Sequence, residues 1–114
     1  MGRRHDVVLE EILRTIDLAQ NAVSGIDKAA FDKDLFRQLG IERTLEIISE
    51  AVRHLPDEML AMHPDICWAD VRAIGNVIRH EYWRIDPTIV WRIVLDDLPA
   101  LRAAVDAMLK RAGT

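Results

Sequence analysis

The sequence predicts an all-α protein: an antiparallel bundle of four to five helices forming a single domain over residues 1–114. Apolar residues recur at steps of three and four through every long window, the period of a helix with one buried face. Leu, Ile, Val and Ala are abundant while aromatic residues make up only 5% of the chain, a balance that suits helices better than a sheet. Gly25, Pro56 and Pro87 punctuate the periodic windows and mark where helices stop or start.

The first helix is expected from about Asp6 to Ser24-Gly25, with Leu9, Ile12, Leu13, Ile16 and Val23 on its buried face and Gly25 as its stop. Residues 26–34 read as a connector with one short helical turn around Phe31. The second long helix runs from about Leu35 to His54. Its seam of Ile41, Leu45, Ile48, Val52 and Leu55 alternates steps of four and three, as in bundle helices. Gly40 weakens that helix locally, by about 1 kcal/mol relative to Ala. Pro56 ends it and, with Asp57 and Glu58, starts a short helix whose Met59, Leu60 and Met62 read as core filler. His63-Pro64-Asp65 is a loop, and His63 has a structural role there. Asp86-Pro87-Thr88 is a strong helix start. The last helix carries Ile89, Val90, Ile93, Val94, Leu98, Leu101, Val105 and Met108, reaches about Lys110, and is expected to kink or break at Pro99.

The stretch WADVRAIGNVIRHEYWRID, residues 68–86, organises the rest. As a helix it places Trp68, Val71, Ile74, Ile78 and Tyr82 on one apolar arc, with Gly75 among them. Arg72, Asn76, Arg79, His80 and Trp83 form the opposite stripe, successive members three or four residues apart. A solvated helix face usually carries Glu, Lys and Ala. Two guanidinium groups, an amide and an imidazole form instead a set that can bind a phosphate and move a proton.

The formal charge of −4 argues against general affinity for nucleic acid, so any RNA contact must come from a local patch. Between Trp68 and Arg84, Arg72, Arg79 and Arg84 outweigh Asp70 and Glu81 by three to two. Cys67 is the sole cysteine, which excludes an intrachain disulfide and a cysteine-rich metal site. Glu46 and Glu50 are spaced i, i+4, but no His or Asp nearby completes a metal site, and they read as a solvated or dimer-facing acid pair. No cofactor is expected. No apolar run approaches a membrane span and MGRRHDVV lacks a signal-peptide core, so the protein is expected in the cytoplasm.

The run from Trp68 to Tyr82, with Asn76, His80 and Tyr82 in place, resembles the signature segment of the HepT-like branch of the HEPN superfamily. Three other phrases extend the likeness from about Leu35 to Leu101: RTLEIISEAVRHLP (43–56), His63-Pro64 before Ile66 and Trp68, and the acidic-Leu-Pro phrase at 96–99. The resemblance implies a small helical two-fold homodimer, a metal-independent ribonuclease toxin, and a nucleotidyltransferase antitoxin of the minimal MNT (MntA-like) type. It also implies that two copies of the signature helix meet in one groove and that Tyr82 is the residue to which the antitoxin attaches AMP. Two positions depart from the family pattern. Ser49 stands where Gly is common, and Gly75 stands where the motif has Arg directly before Asn76. Arg72, three residues earlier, is the candidate to deliver a guanidinium to the same place. Gly75 itself reads as a tight dimer seam.

RNA cleavage without a metal needs a base for the 2′-hydroxyl, an acid for the leaving oxygen and positive charge for the transition state. His80 supplies imidazole, the side chain whose ordinary pKa of about 6.5 suits both proton roles. Arg72 and Arg79 can fork onto phosphate, and Asn76 can orient the imidazole or bond a phosphate oxygen. Trp83 and Arg84 can stack on a base, although Trp83 can equally pack at a dimer interface. Two alternatives stay open beside the nuclease. One is a catalytically inactive nucleotide- or substrate-binding partner of a nucleotidyltransferase, which Gly75 favours. The other is a purely structural helical dimer, which leaves the polar stripe unexplained.

Overall fold

A computed structural model describes residues 2–81 and 85–112, and every element among them is helical. Helix α1 spans Gly2–Val23 and buries Leu9, Ile12, Ile16, Ala19 and Val23 along one stripe. It starts four residues earlier than its periodicity announces. Gly25 then adopts φ +81°, the left-handed conformation that lets the chain leave a helix without a Cβ clash. Asp27 caps the short α2 (Lys28–Asp32), its carboxylate accepting from the Ala30 N–H at 2.9 Å. Phe31 of α2 is fully buried against Trp91, ring centroids 5.2 Å apart.

Helix α3 (Leu35–Val52) is capped by Asp34, which accepts from both the Arg37 backbone N–H and its guanidinium at 3.0 Å. These bonds hold the Asp34 carboxyl below the usual carboxylate range. The whole expected seam of Ile41, Leu45, Ile48, Val52 and Leu55 is buried. Gly40 does not interrupt the helix, and a Cβ there would meet nothing within 4 Å. Gly40→Ala is therefore expected to stabilise the fold by about 1 kcal/mol, raising the melting temperature by roughly 3–5 °C in a calorimetric scan.

The short α4 (Asp57–Leu60) buries Leu60, whereas Met62 beyond it is largely exposed and fills no core. The indole N–H of Trp68 closes the loop that follows, donating to the carbonyls of Leu60 at 2.8 Å and His63 at 3.1 Å. Helix α5 (Trp68–Glu81) is shorter than the 68–86 stretch that predicts it, since Ile85 and Asp86 are not helical. Tyr82, Trp83 and Arg84 lie outside the described residues. Asp86 caps α6 (Pro87–Arg92) through the Thr88 N–H at 2.9 Å, with Pro87 at the first position.

Pro99 neither breaks the last helix nor leaves it regular. Between α6 and α7 (Leu98–Ala112) lies a π-helical turn, Ile93–Asp97, in which the Leu98 N–H reaches back five residues to the Ile93 carbonyl. Pro99 has no N–H to offer and its ring crowds the carbonyl four residues back, so one extra residue is absorbed just before it. Ile89, expected in the core, lies largely exposed on this limb, whereas Val90, Val94, Leu98, Leu101, Val105 and Met108 are buried as their spacing predicts.

Helix α3 lies between α1 and α5, and α7 packs on α1. Ser49 meets Gly75, and Glu42 shares a hollow with Arg79, so α3 and α5 run antiparallel. The Arg102 guanidinium of α7 grips the Asp17 carboxylate of α1 at 2.7 Å and holds it below its ordinary range.

Candidate active site

The middle of α5 is fastened to α3 by side-chain bonds to the α5 backbone. The Ser49 hydroxyl donates to the Arg72 carbonyl at 2.9 Å and accepts from the Gly75 N–H at 3.2 Å. The Arg53 guanidinium adds a second bond to the same Arg72 carbonyl at 2.9 Å. A Cβ at position 75 would stand 2.8 Å from the Ser49 Oγ and 3.0 Å from its Cβ. The close approach that Gly75 permits is thus made within the chain, to α3, and a dimer seam is not needed to account for it.

With Gly75 and Ile78 buried and Trp68, Val71 and Ile74 half-buried, the opposite stripe must face outward. Asn76, Arg79 and His80 are exposed. The Asn76 side-chain oxygen accepts from the Arg79 guanidinium at 2.8 Å, so these two groups act as one unit. His80 stands one turn beyond Asn76, and its ring has no partner among the described residues. Arg72 is not gathered with them. Its guanidinium donates to the Asp57 carboxylate of α4 at 3.0 Å, and its buried Nε finds no acceptor among the described residues. Tyr82, Trp83 and Arg84 lie outside the described residues.

Beside Arg79, a shallow hollow of about 300 Å³ opens between α3 and α5, lined also by Leu39, Glu42, Arg43 and Glu46. Glu42 is nearly buried, and desolvation together with the neighbouring Glu46 raises its carboxyl above the ordinary range. Ionising Glu42 in the fold is thus harder than in the unfolded chain. Its protonated form favours folding, and that stability is lost as pH rises through the folded value. Glu42→Gln is expected to raise the melting temperature at neutral pH, by roughly 2–5 °C. The gain should fade in acid, as thermal melts at a series of pH values will show.

The sequence singles out Glu46 and Glu50 and marks Ser49 only as a departure from the family pattern, while Glu42 and Arg53 receive no role from it. Their signal was present: positions 42, 46, 49 and 53 form a stripe at steps of four, three and four beside the apolar seam. Glu46 lies 3.8 Å from the Arg43 guanidinium of the same helix, and Glu50 is 3.5 Å from the His54 imidazole just beyond the helix end.

An exposed guanidinium–amide pair next to an imidazole can hold a phosphodiester and transfer a proton at it. Known proteins similar to this chain carry names that fit that chemistry. A family model described as "Ribonuclease HepT-like" matches residues 12–108. A protein of Thermococcus cleftensis named "Probable ribonuclease HepT" is 30% identical over 110 residues, covering 96% of this chain and all of its own length. One of Caldanaerobacter subterraneus subsp. tengcongensis, named "Putative RNase TTE0752", is 32% identical over 103 residues, 90% of this chain and 92% of its own. No solved structure matches the chain. Among the described residues no helix is long and apolar enough to cross a membrane. With a family match over most of its length and relatives at 30% and 32% identity covered over nearly their whole length, the chain belongs to the HepT-like ribonuclease family.

Proposed function

We propose that this chain is a metal-independent endoribonuclease that works as a two-fold homodimer, the toxin half of a pair with an MNT-type nucleotidyltransferase antitoxin. The observation that carries the reading is the exposed stripe of α5, where Arg79 is bonded to Asn76 and His80 follows one turn on. In this reading Arg79 and Asn76 take the scissile phosphate and His80 moves the proton. Arg72 can join them only by leaving Asp57. That exchange is cheap, because Asp57 is almost fully exposed and surface ion pairs contribute little. The exposed apolar side chains of Phe36 and Leu39 on α3 and Val77 on α5 lie on the two helices that form the hollow beside Arg79, and a second protomer would cover them. Two α5 helices across that dyad would bring two imidazoles to one groove, enough for an acid and a base. Tyr82 is the proposed AMP acceptor, where a phosphate would repel RNA from the same groove.

The second reading, a HEPN-type protein that binds nucleotide or substrate for a separate nucleotidyltransferase without cleaving, is favoured by Gly75 in place of the motif Arg and by the Arg72–Asp57 pair. The test is incubation of the purified dimer with an unstructured RNA in EDTA. Cleavage supports the nuclease. Intact RNA bound by a folded dimer supports the second reading.

A further inference from the structure

On the other side of α5 a cleft of about 460 Å³ opens between this helix, α3 and the limb formed by α6, the π-helical turn and α7. Its floor is apolar, with Ile48 from α3, Val71 and Ile74 from α5 and Leu101 from α7. Its walls are acidic. Asp65 and Asp70 stand on the α5 side and Asp96 and Asp97 on the π-helical turn, while Arg92 is the only basic residue among the described residues that line it. None of these four carboxylates is in an ion pair among the described residues.

We propose that this cleft is a docking site for a basic amphipathic helix of another protein. Its volume suits the anchor side chains of a helix laid in a groove. Carboxylates on both walls call for an apolar stripe with Lys or Arg along both edges, which such a helix presents at i, i+3, i+4 and i+7. Four carboxylates repel a phosphate backbone, so nucleic acid is not the occupant. A second copy of a chain with net charge −4 is opposed by the same field. An occupant here lies across α5 from Asn76, Arg79 and His80, and leaves that stripe open. The proposal stands apart from the ribonuclease reading and can be tested without RNA.

Cys67, the sole cysteine, is exposed and lines the cleft, so its alkylation rate reports occupancy. The probe is a synthetic amphipathic Leu/Lys helix, compared with a Leu/Glu helix of the same pattern, read by fluorescence anisotropy. The Leu/Lys helix is expected to bind and to slow Cys67 alkylation, and the Leu/Glu helix to do neither. Asp96→Lys with Asp97→Lys should weaken binding by about tenfold or more. Ala100→Trp, which fills the cleft without altering charge, should do the same. Glu10→Lys with Glu11→Lys, the same change of charge on α1, should leave affinity within about twofold. The proposal is overturned by equal binding of both peptides or of neither, by an equal loss in the α1 variant, or by binding undiminished by Ala100→Trp. A change in the chain's own oligomeric state on Asp96→Lys and Asp97→Lys, without peptide, would overturn it in favour of a second copy. Circular dichroism confirms that each variant is folded, and the exposed Asp96 and Asp97 keep the test valid should Ala100→Trp fail to fold.

Discussion

Placing Arg at position 75, where the family motif has it, is expected to lower the melting temperature of this chain by roughly 10 °C. The added Cβ would stand 2.8 Å from the Ser49 Oγ and 3.0 Å from the Ser49 Cβ. The hydroxyl cannot swing aside freely, because it donates to the Arg72 carbonyl and accepts from the Gly75 N–H. Overpacking at a tight contact costs about 1–3 kcal/mol, and each hydrogen bond given up costs about 1 kcal/mol more. A non-Gly residue in mid-helix returns about 1 kcal/mol. The balance is a loss of roughly 2–4 kcal/mol, with the clash as its larger part. Ser49→Gly removes both clashing atoms, so adding Gly75→Arg to it should cost almost nothing further. Thermal melts of the four chains form a double-mutant cycle with an expected coupling of about 2 kcal/mol. Simple additivity would show that the two positions are independent.

That cycle bears on what could be read before the fold was known. Ser49 and Gly75 stand out in the sequence as two separate departures from the family pattern. Nothing in their spacing of 26 residues says that they touch, since the contact depends on where α3 and α5 cross. The seams of α1 and α3 were legible because a 3.6-residue period maps directly onto a buried stripe. The outward face of α5 was legible for the same reason, and Asn76, Arg79 and His80 fall on it. Arg72 was assigned to that face by its angle alone. Its long side chain instead turns to Asp57 on α4, a partner that helical spacing within α5 cannot reveal. The acidic-walled cleft escaped for a related reason. Asp96 and Asp97 face Asp65 and Asp70 only because the chain turns back through α6, and the π-helical turn ahead of Pro99 displaces the register that a regular helix would give them.

Substituting His80 is expected to have the largest effect on activity. If its imidazole moves the proton in RNA cleavage, His80→Ala should reduce the rate in EDTA by about 10²–10⁴-fold. RNA binding should change far less, since the Arg79–Asn76 unit remains. Arg79→Ala should show the complementary pattern, with weaker binding and a shallower dependence of affinity on salt. His80 is exposed and without a partner among the described residues, so its removal is expected to change stability little, and a loss of activity with an unaltered melting temperature reads as chemistry. A mixing experiment separates a shared site from two independent ones. When wild type and His80→Ala are unfolded together and refolded at equal amounts, random pairing leaves about a quarter of the dimers with two imidazoles. A groove that needs both, one as acid and one as base, then retains about a quarter of the wild-type rate. Protomers that act alone retain about half. A retained half would refute the composite site while keeping the nuclease, and full activity in the pure His80→Ala protein would remove His80 from the mechanism.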